Sequence, residues 1–165
     1  MTRKVPSFTG LQPASESSSR VKRRNKRSNT KHEVILRREL WRLGLRYRKN
    51  VASITGKPDI VFGAARVLVF CDGDFWHGRN WKRLRASLRH RANSEYWIAK
   101  IGSNIARDKR VGRTLARQGW MVIRVWETDI IKNPKKIATA IEAVVNARRG
   151  RHAAESKPRN WDALR

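Results

Sequence analysis

Two short apolar runs constrain the fold of this chain more than any other feature: Asp59-Ile-Val-Phe62 and Arg66-Val-Leu-Val-Phe-Cys71, joined through Gly63-Ala-Ala65. Two hydrophobic arms around a glycine-containing connection are the signature of a β-hairpin. The segments around it read as follows. Thr30, with Glu33 three residues on, has capping-box spacing, and Leu36, Leu40 and Leu43 recur at i, i+4, i+7 up to the stop at Gly44, so a helix is predicted. A short strand is predicted around Tyr47–Ala52, then a turn at Thr55–Pro58 and, after the hairpin, a loop over Asp72–Trp81. Residues 94–118 predict a helix with Ile98, Ile101, Ile105 and Leu115 on one stripe, Trp120–Trp126 a strand, and Pro134 a last helix with Ile137, Ile141 and Val144 inward. The order αβββαβα implies an α/β fold, a mixed sheet with helices on its faces. Trp41, Trp120 and Trp126 are expected in or beside the core.

A chain of 165 residues holds one ordinary domain. Its 39% apolar content argues against whole-chain disorder, and its single cysteine, Cys71, excludes an internal disulfide framework. No apolar run reaches 18 residues and no signal-peptide stretch opens the chain, so a soluble bacterial protein working in the cytoplasm, at the nucleoid, is expected, with no membrane partner. Lys and Arg number 39 against 13 Asp and Glu, a net charge of +26. The ends carry part of it: residues 1–32 have nine basic residues and one acid, residues 146–165 six and two. The remaining +14 lies on residues 33–145, which implies a folded phosphate-binding face as well as sticky ends. The expected organisation is a basic arm over 1–28, a folded domain over 29–147 and a basic tail over 148–165.

Against this background the few acids are informative. Asp59 starts one hairpin strand and Asp72 follows the end of its antiparallel partner, so the two carboxylates converge at one edge of the sheet. Mg²⁺ prefers oxygen ligands and commonly uses one or two carboxylates plus a substrate phosphate, so it fits such a pair. His77 lies within reach as a general base, and Glu33 on the first helix is a fourth candidate. Phe75 and Trp76 sit between these groups and fit either stacking against bases or anchoring the loop in the core. Asp59 after Pro58 is also an ordinary turn dipeptide, and Glu33 a cap. The clustering of the acids with His77 is what favours metal-dependent phosphodiester chemistry.

Five blocks, in order, resemble the very-short-patch repair (Vsr) DNA mismatch endonucleases, a branch of the restriction-endonuclease-like fold. They are Arg27-Ser-Asn-Thr-Lys-His-Glu33, Gly56-Lys-Pro-Asp-Ile60, Val69-Phe-Cys-Asp-Gly-Asp-Phe-Trp-His-Gly78, the run Tyr96–Arg110, and Gly119-Trp120 with Val125-Trp-Glu127. The resemblance implies that Asp59 and the backbone carbonyl of Cys71 ligate Mg²⁺, that His77 activates or orients water, and that Glu33 organises the network around them. It implies that Phe75 and Trp76 enter the stack beside a mismatch, with duplex DNA as substrate and a nick 5′ of the thymine in a T:G pair as product. Lys22, Arg23 and Arg24 of the arm and Lys100, Asn104 and Arg107 of the long helix are the expected DNA contacts. A monomer is expected, with mismatch-repair proteins as partners.

Three departures stand out. Asp72 replaces the family's usual histidine, so it is expected to act as a direct metal ligand. The positions matching the family's structural zinc ligands are Asp74, Arg79, Trp81 and Thr128, so no zinc is expected. The wedge residue of the arm is replaced near Lys22. The last two departures keep open a nickase of a mobile element or defence system with different specificity. A non-catalytic nucleic-acid-binding protein is the alternative of another class; it accounts for the charge and leaves the acid cluster unexplained.

Overall fold

The protein is described by a computed structural model over residues 6–7 and 28–155, the last five as backbone only. Helix α1 (Lys31–Arg42) starts on the capping box of Thr30 and Glu33. Strands β1 (Arg48–Lys49), β2 (Ile60–Phe62) and β3 (Val67–Asp72) follow. Helix α2 (Trp81–Leu88), the long α3 (Ser94–Arg117), β4 (Met121–Trp126), α4 (Glu127–Lys132) and α5 (Pro134–Glu155) complete the chain. The sheet order is β1-β2-β3-β4, with two antiparallel pairs and a parallel β3–β4 pair. This is the expected mixed sheet with helices on both faces.

Strand β3 is buried along its whole length, and its alternation divides the core. Val67, Val69 and Cys71 face a cluster with Leu36 and Leu40 of α1, Ile141 and Val145 of α5, and Val125. Leu68 and Phe70 face the other way, against Leu115 and Val111 of α3 and against Val122. Because side chains alternate with period two, the β3 residue that follows Phe70 by two, Asp72, falls on the α3 side. The parallel register sets Phe70 opposite Arg124 and Asp72 opposite Trp126, so Arg124 emerges on that same side, diagonal to Asp72.

Several expectations are corrected in detail. The strand over 47–52 shrinks to two residues because Asn50 adopts φ +50°, which ends the pairing. Helices α2 and α4 fall where no helix is predicted; α4 is only six residues and follows β4 without a linker. Leu43 is 37% exposed at the end of α1, and Leu45 is buried in its place. Trp41 is 56% exposed, with the Arg46 guanidinium 3.7 Å above its ring and Tyr47 against its edge. A cation over an indole face lets a large aromatic remain at the surface, which composition does not reveal.

Candidate active site

At the sheet edge where α1 begins, a cleft of about 660 Å³ is lined by His32, Glu33, Asp59, Cys71, Asp72 and His77, with Trp76 and Glu127 at its margins. Glu33 is 3% exposed and its carboxylate is consumed by the helix start. It accepts hydrogen bonds from Asn29 N (2.9 Å), Thr30 N (3.3 Å) and Thr30 Oγ1 (2.8 Å), with Arg37 Nη1 3.8 Å away. His32, 6% exposed, places Nε2 3.4 Å from the Cys71 carbonyl oxygen and Nδ1 3.5 Å from Glu127 Oε1.

Asp59 is held differently from every other acid lining the cleft. Its backbone extends the hairpin ladder, donating to Val69 O at 3.0 Å, and its Oδ2 accepts from Cys71 N at 2.7 Å. None of its described hydrogen bonds or ion pairs involves a cationic side chain. Burial, with the charges of Glu33 and Asp72 beside it, outweighs that hydrogen bond and pushes its carboxyl up to about 6. A half-buried carboxylate next to two others, with a backbone carbonyl on the adjoining strand, is a donor set that gains from a hard divalent cation. No group of three or more His, Cys, Asp or Glu side chains converges into a metal cage among the described residues. Any ion here would therefore have at most two such side chains, with backbone carbonyl, water and substrate oxygens completing its shell. The Cys71 thiol is buried and its pKa is raised by that burial, so its side chain is no ligand at neutral pH.

On the α3 side, Asp72 is 4% exposed and forms a bidentate pair with Arg124, Nε donating to Oδ2 and Nη2 to Oδ1, each at 2.6 Å. The same Nη2 lies 3.2 Å from Asp108 Oδ2 of α3, and Asp108 Oδ2 is 2.6 Å from His77 Nδ1. Burial raises the Asp108 carboxyl, but His77, Arg124 and Arg107 together outweigh it and leave its pKa lowered. An ionised Asp108 only accepts, so His77 Nδ1 carries a proton, and in the neutral ring Nε2 is the nitrogen with the lone pair. The 3.3 Å approach of Arg124 Nη2 to Nδ1 is then a contact between two donors.

The loop carrying His77 is fixed at both ends. Gly78 has φ +72° and packs so closely on α3 that a Cβ would stand 2.6 Å from Ile105 Cδ1. Asn104 Nδ2 donates to the Trp76 carbonyl at 2.9 Å, so this expected DNA contact anchors the loop. Phe75, Trp76 and Trp97 form a cluster with ring centroids 5.2 to 5.7 Å apart, and both loop aromatics are half-buried. Lys100 is half-buried, while Arg107 is exposed and spans to Asp108 at 3.2 Å. Lys22, Arg23 and Arg24 lie outside the described residues.

The four positions that match the family's zinc ligands carry side chains of a different kind. Thr128 Oγ1 donates to Asp74 Oδ2, while Arg79 reaches Asp129 Oδ1 at 2.7 Å and Asp74 Oδ1 at 3.5 Å. A guanidinium and an indole offer no lone pair to a metal, so Asp74, Arg79, Trp81 and Thr128 do not suit zinc. Three of them instead form polar links from the loop to the first turn of α4.

The structure thus brings Glu33, Asp59, Asp72, Cys71 and His77 into one cleft, and the strand ends account for the meeting of Asp59 and Asp72. His32, Asp108 and Arg124 go unpredicted. His32 adjoins Glu33 in a helical first turn and Asp108 sits in the Arg-Asp of a resembling block, so both carried some signal. Arg124 carried none, because one arginine among 39 basic residues is anonymous until strand register places it.

A mixed sheet presenting acids and a histidine at the strand ends, beneath a basic surface, is consistent with the restriction-endonuclease-like nucleases. The family model described as DNA mismatch endonuclease Vsr matches residues 13–83. The type II nicking enzyme V.NmeDIP of Neisseria meningitidis serogroup C is 45% identical over 126 residues, covering 76% of this chain and 84% of that protein. The type II nicking enzyme V.HpaIIP of Haemophilus parainfluenzae is 41% identical over 78% of this chain and 89% of its own length. DNA mismatch endonuclease Vsr of Escherichia coli strain K12 is 37% identical over 51% of this chain and 52% of its own. The chain belongs to the Vsr family of DNA endonucleases.

Proposed function

We propose that this endonuclease nicks one strand of duplex DNA with a Mg²⁺ ion held by Asp59 and the Cys71 carbonyl, and with His77 as the base. The observation that carries the reading is Asp59, whose described hydrogen bonds and ion pairs include no cationic side chain, lining the same cleft as a histidine whose Nδ1 is taken by Asp108. Bound there, Mg²⁺ would polarise the scissile phosphate and stabilise charge on the leaving oxygen. His77 Nε2 takes the proton of the attacking water, and Asp108 stabilises the imidazolium that results. Glu33 holds the first turn of α1, and with it His32, against the carbonyl of Cys71. Arg and Lys side chains of α3 and of the arm gather phosphates, a contribution blind to sequence and weakened by salt.

Phe75 and Trp76 support a preference for a T:G mismatch, since unstacking costs least at a wobble pair. The nick would fall 5′ of the mispaired thymine, in very-short-patch repair. The Asp74–Thr128 and Arg79–Asp129 links hold this loop in place of zinc. A second reading has its own observation: the relatives V.NmeDIP and V.HpaIIP, each matched over more than three quarters of this chain, are called type II nicking enzymes, which favours a nickase in a defence system. One assay separates them. End-labelled duplexes with a T:G mismatch, or fully paired, are incubated with Mg²⁺ and either the protein or Asp59→Ala. A nick confined to the thymine strand of the mismatch and lost in Asp59→Ala supports the repair reading. Equal, Asp59-dependent nicking of both duplexes selects the second, and cleavage that survives Asp59→Ala overturns both.

A further inference from the structure

We propose that Arg124 is a positioning residue that decides which of two carboxylates holds His77, and that Asp72 serves it as an anchor rather than as a metal ligand. The inference rests on the nicking reading for its kinetic test only. Two acids stand near His77 Nδ1: Asp108 Oδ2 at 2.6 Å and Asp72 Oδ1 at 3.5 Å. A ring nitrogen with one proton can serve one of them well, and the choice fixes the tilt of the ring and the direction of Nε2. Arg124 settles it by occupying both oxygens of Asp72 and adding a second donor to the Asp108 oxygen that His77 uses. The guanidinium is itself immobilised, lying 4.9 Å from the Phe70 ring centroid and rooted on β4, opposite the strand that carries Asp72. Lysine cannot substitute: a point charge cannot span two carboxylate oxygens and still reach a third acceptor.

With Asp72 neutralised in this way, the cleft presents Asp59 to the cation and phosphate without a further free charge deep beside it. Removing Arg124 releases Asp72 to compete for His77 or for the cation.

The test is single-turnover nicking by Arg124→Gln, Arg124→Lys, Asp72→Asn and the double variant Asp72→Asn/Arg124→Gln, with rates taken per folded molecule. Arg124→Gln leaves a buried carboxylate unpaired, so the double variant, which removes both charges, is the folded comparison. We expect Arg124→Gln and Arg124→Lys to slow nicking at least tenfold while duplex affinity changes less than threefold. The double variant should recover most of that loss, because the competing carboxylate is gone. Asp72→Asn should need no more than about twice the Mg²⁺ for half-maximal rate. A double variant as slow as or slower than Arg124→Gln would overturn the proposal, as would a tenfold rise in the Mg²⁺ requirement of Asp72→Asn. If the unmodified protein nicks nothing, the nuclease reading fails and the proposal is decided without DNA. Ring ¹⁵N shifts of His77 then report which nitrogen carries the proton: Arg124→Gln must alter them, and unchanged shifts refute the positioning role.

Discussion

Asp59→Asn should make the metal-free protein more stable at neutral pH and inactive at the same time. The ordinary carboxyl value of 3.8 is pushed up to about 6 by burial, assisted by Glu33 and Asp72. Below about pH 4 the group is protonated in both folded and unfolded chains, so it costs nothing. Between about 4 and 6 the folded protein keeps a proton that the unfolded chain has released, so stability from this group falls as pH rises. Above 6 both forms are ionised and the full cost is present. At ~1.4 kcal/mol per pH unit that cost is about 3 kcal/mol, and about 2 kcal/mol after discounting for the solvent that reaches a half-buried side chain. Asparagine retains an oxygen for the Cys71 N–H and carries no charge, so it removes the cost. Denaturant unfolding in chelator should show Asp59→Asn ahead by about 2 kcal/mol at pH 7.5, roughly 6 °C in Tm for a chain of this size. The gap should close as pH falls toward 4. Mg²⁺ should stabilise the parent and leave the variant unmoved. A variant less stable than the parent at pH 7.5, or a gap independent of pH, would refute the reasoning from burial and neighbouring charge.

Other expectations follow from the same geometry. Asp108→Asn removes the acceptor that fixes the His77 tautomer, so nicking should fall about a hundredfold with duplex binding retained, as gel shift and single-turnover rates would show. Asp74→Ala breaks the loop link to Thr128 and should cost about 1 kcal/mol in denaturant unfolding; refolding of the parent in chelator should restore native circular dichroism, and elemental analysis should find no zinc. Trp76→Ala should reduce the preference for T:G over paired duplex while leaving the salt dependence of binding unchanged, because it removes stacking and no phosphate contact.

The sheet was legible because β2 and β3 up to Cys71 are continuous apolar runs and β4 is a third broken only by Arg124, so strand pairing needed little more than a turn signal. Their edges were also legible: Asp59 and Asp72 meet because antiparallel strands bring a start and an end together. What sequence could not show is where a side chain's partner sits across the parallel pair. Asp72 reads as a metal ligand while its neighbours are unknown; with β4 in register it faces a guanidinium that takes both its oxygens. Helices α2 and α4 escaped for a different reason. Both are short and basic or mixed in composition, and α4 is set by packing against α1 and α5 rather than by periodicity. Trp41 was misplaced because apolar character was read as burial, without the arginine that covers it.

In a protein of net charge +26, attraction to DNA is never scarce, so the placement of its 13 acids carries the specificity of its chemistry. Among the acids lining the cleft, Glu33 lies beside Arg37, Asp72 is bound to Arg124, and Glu127 lies near His32. Each would otherwise repel phosphate at the sheet edge. Among the described residues Asp59 differs from them in that its only side-chain hydrogen bond is to a backbone N–H, with His32 as a nearby charge rather than a bonded partner, so it has most to gain from a cation out of solution. The pairing of the other three therefore does two things at once: it keeps the cleft open to a polyanion, and it leaves a single place where a divalent cation gains most by binding. Converting one paired acid to its amide should leave that place intact, whereas removing a paired cation should create a competing one. Arg124→Gln and Asp72→Asn are expected to diverge in their Mg²⁺ dependence for this reason.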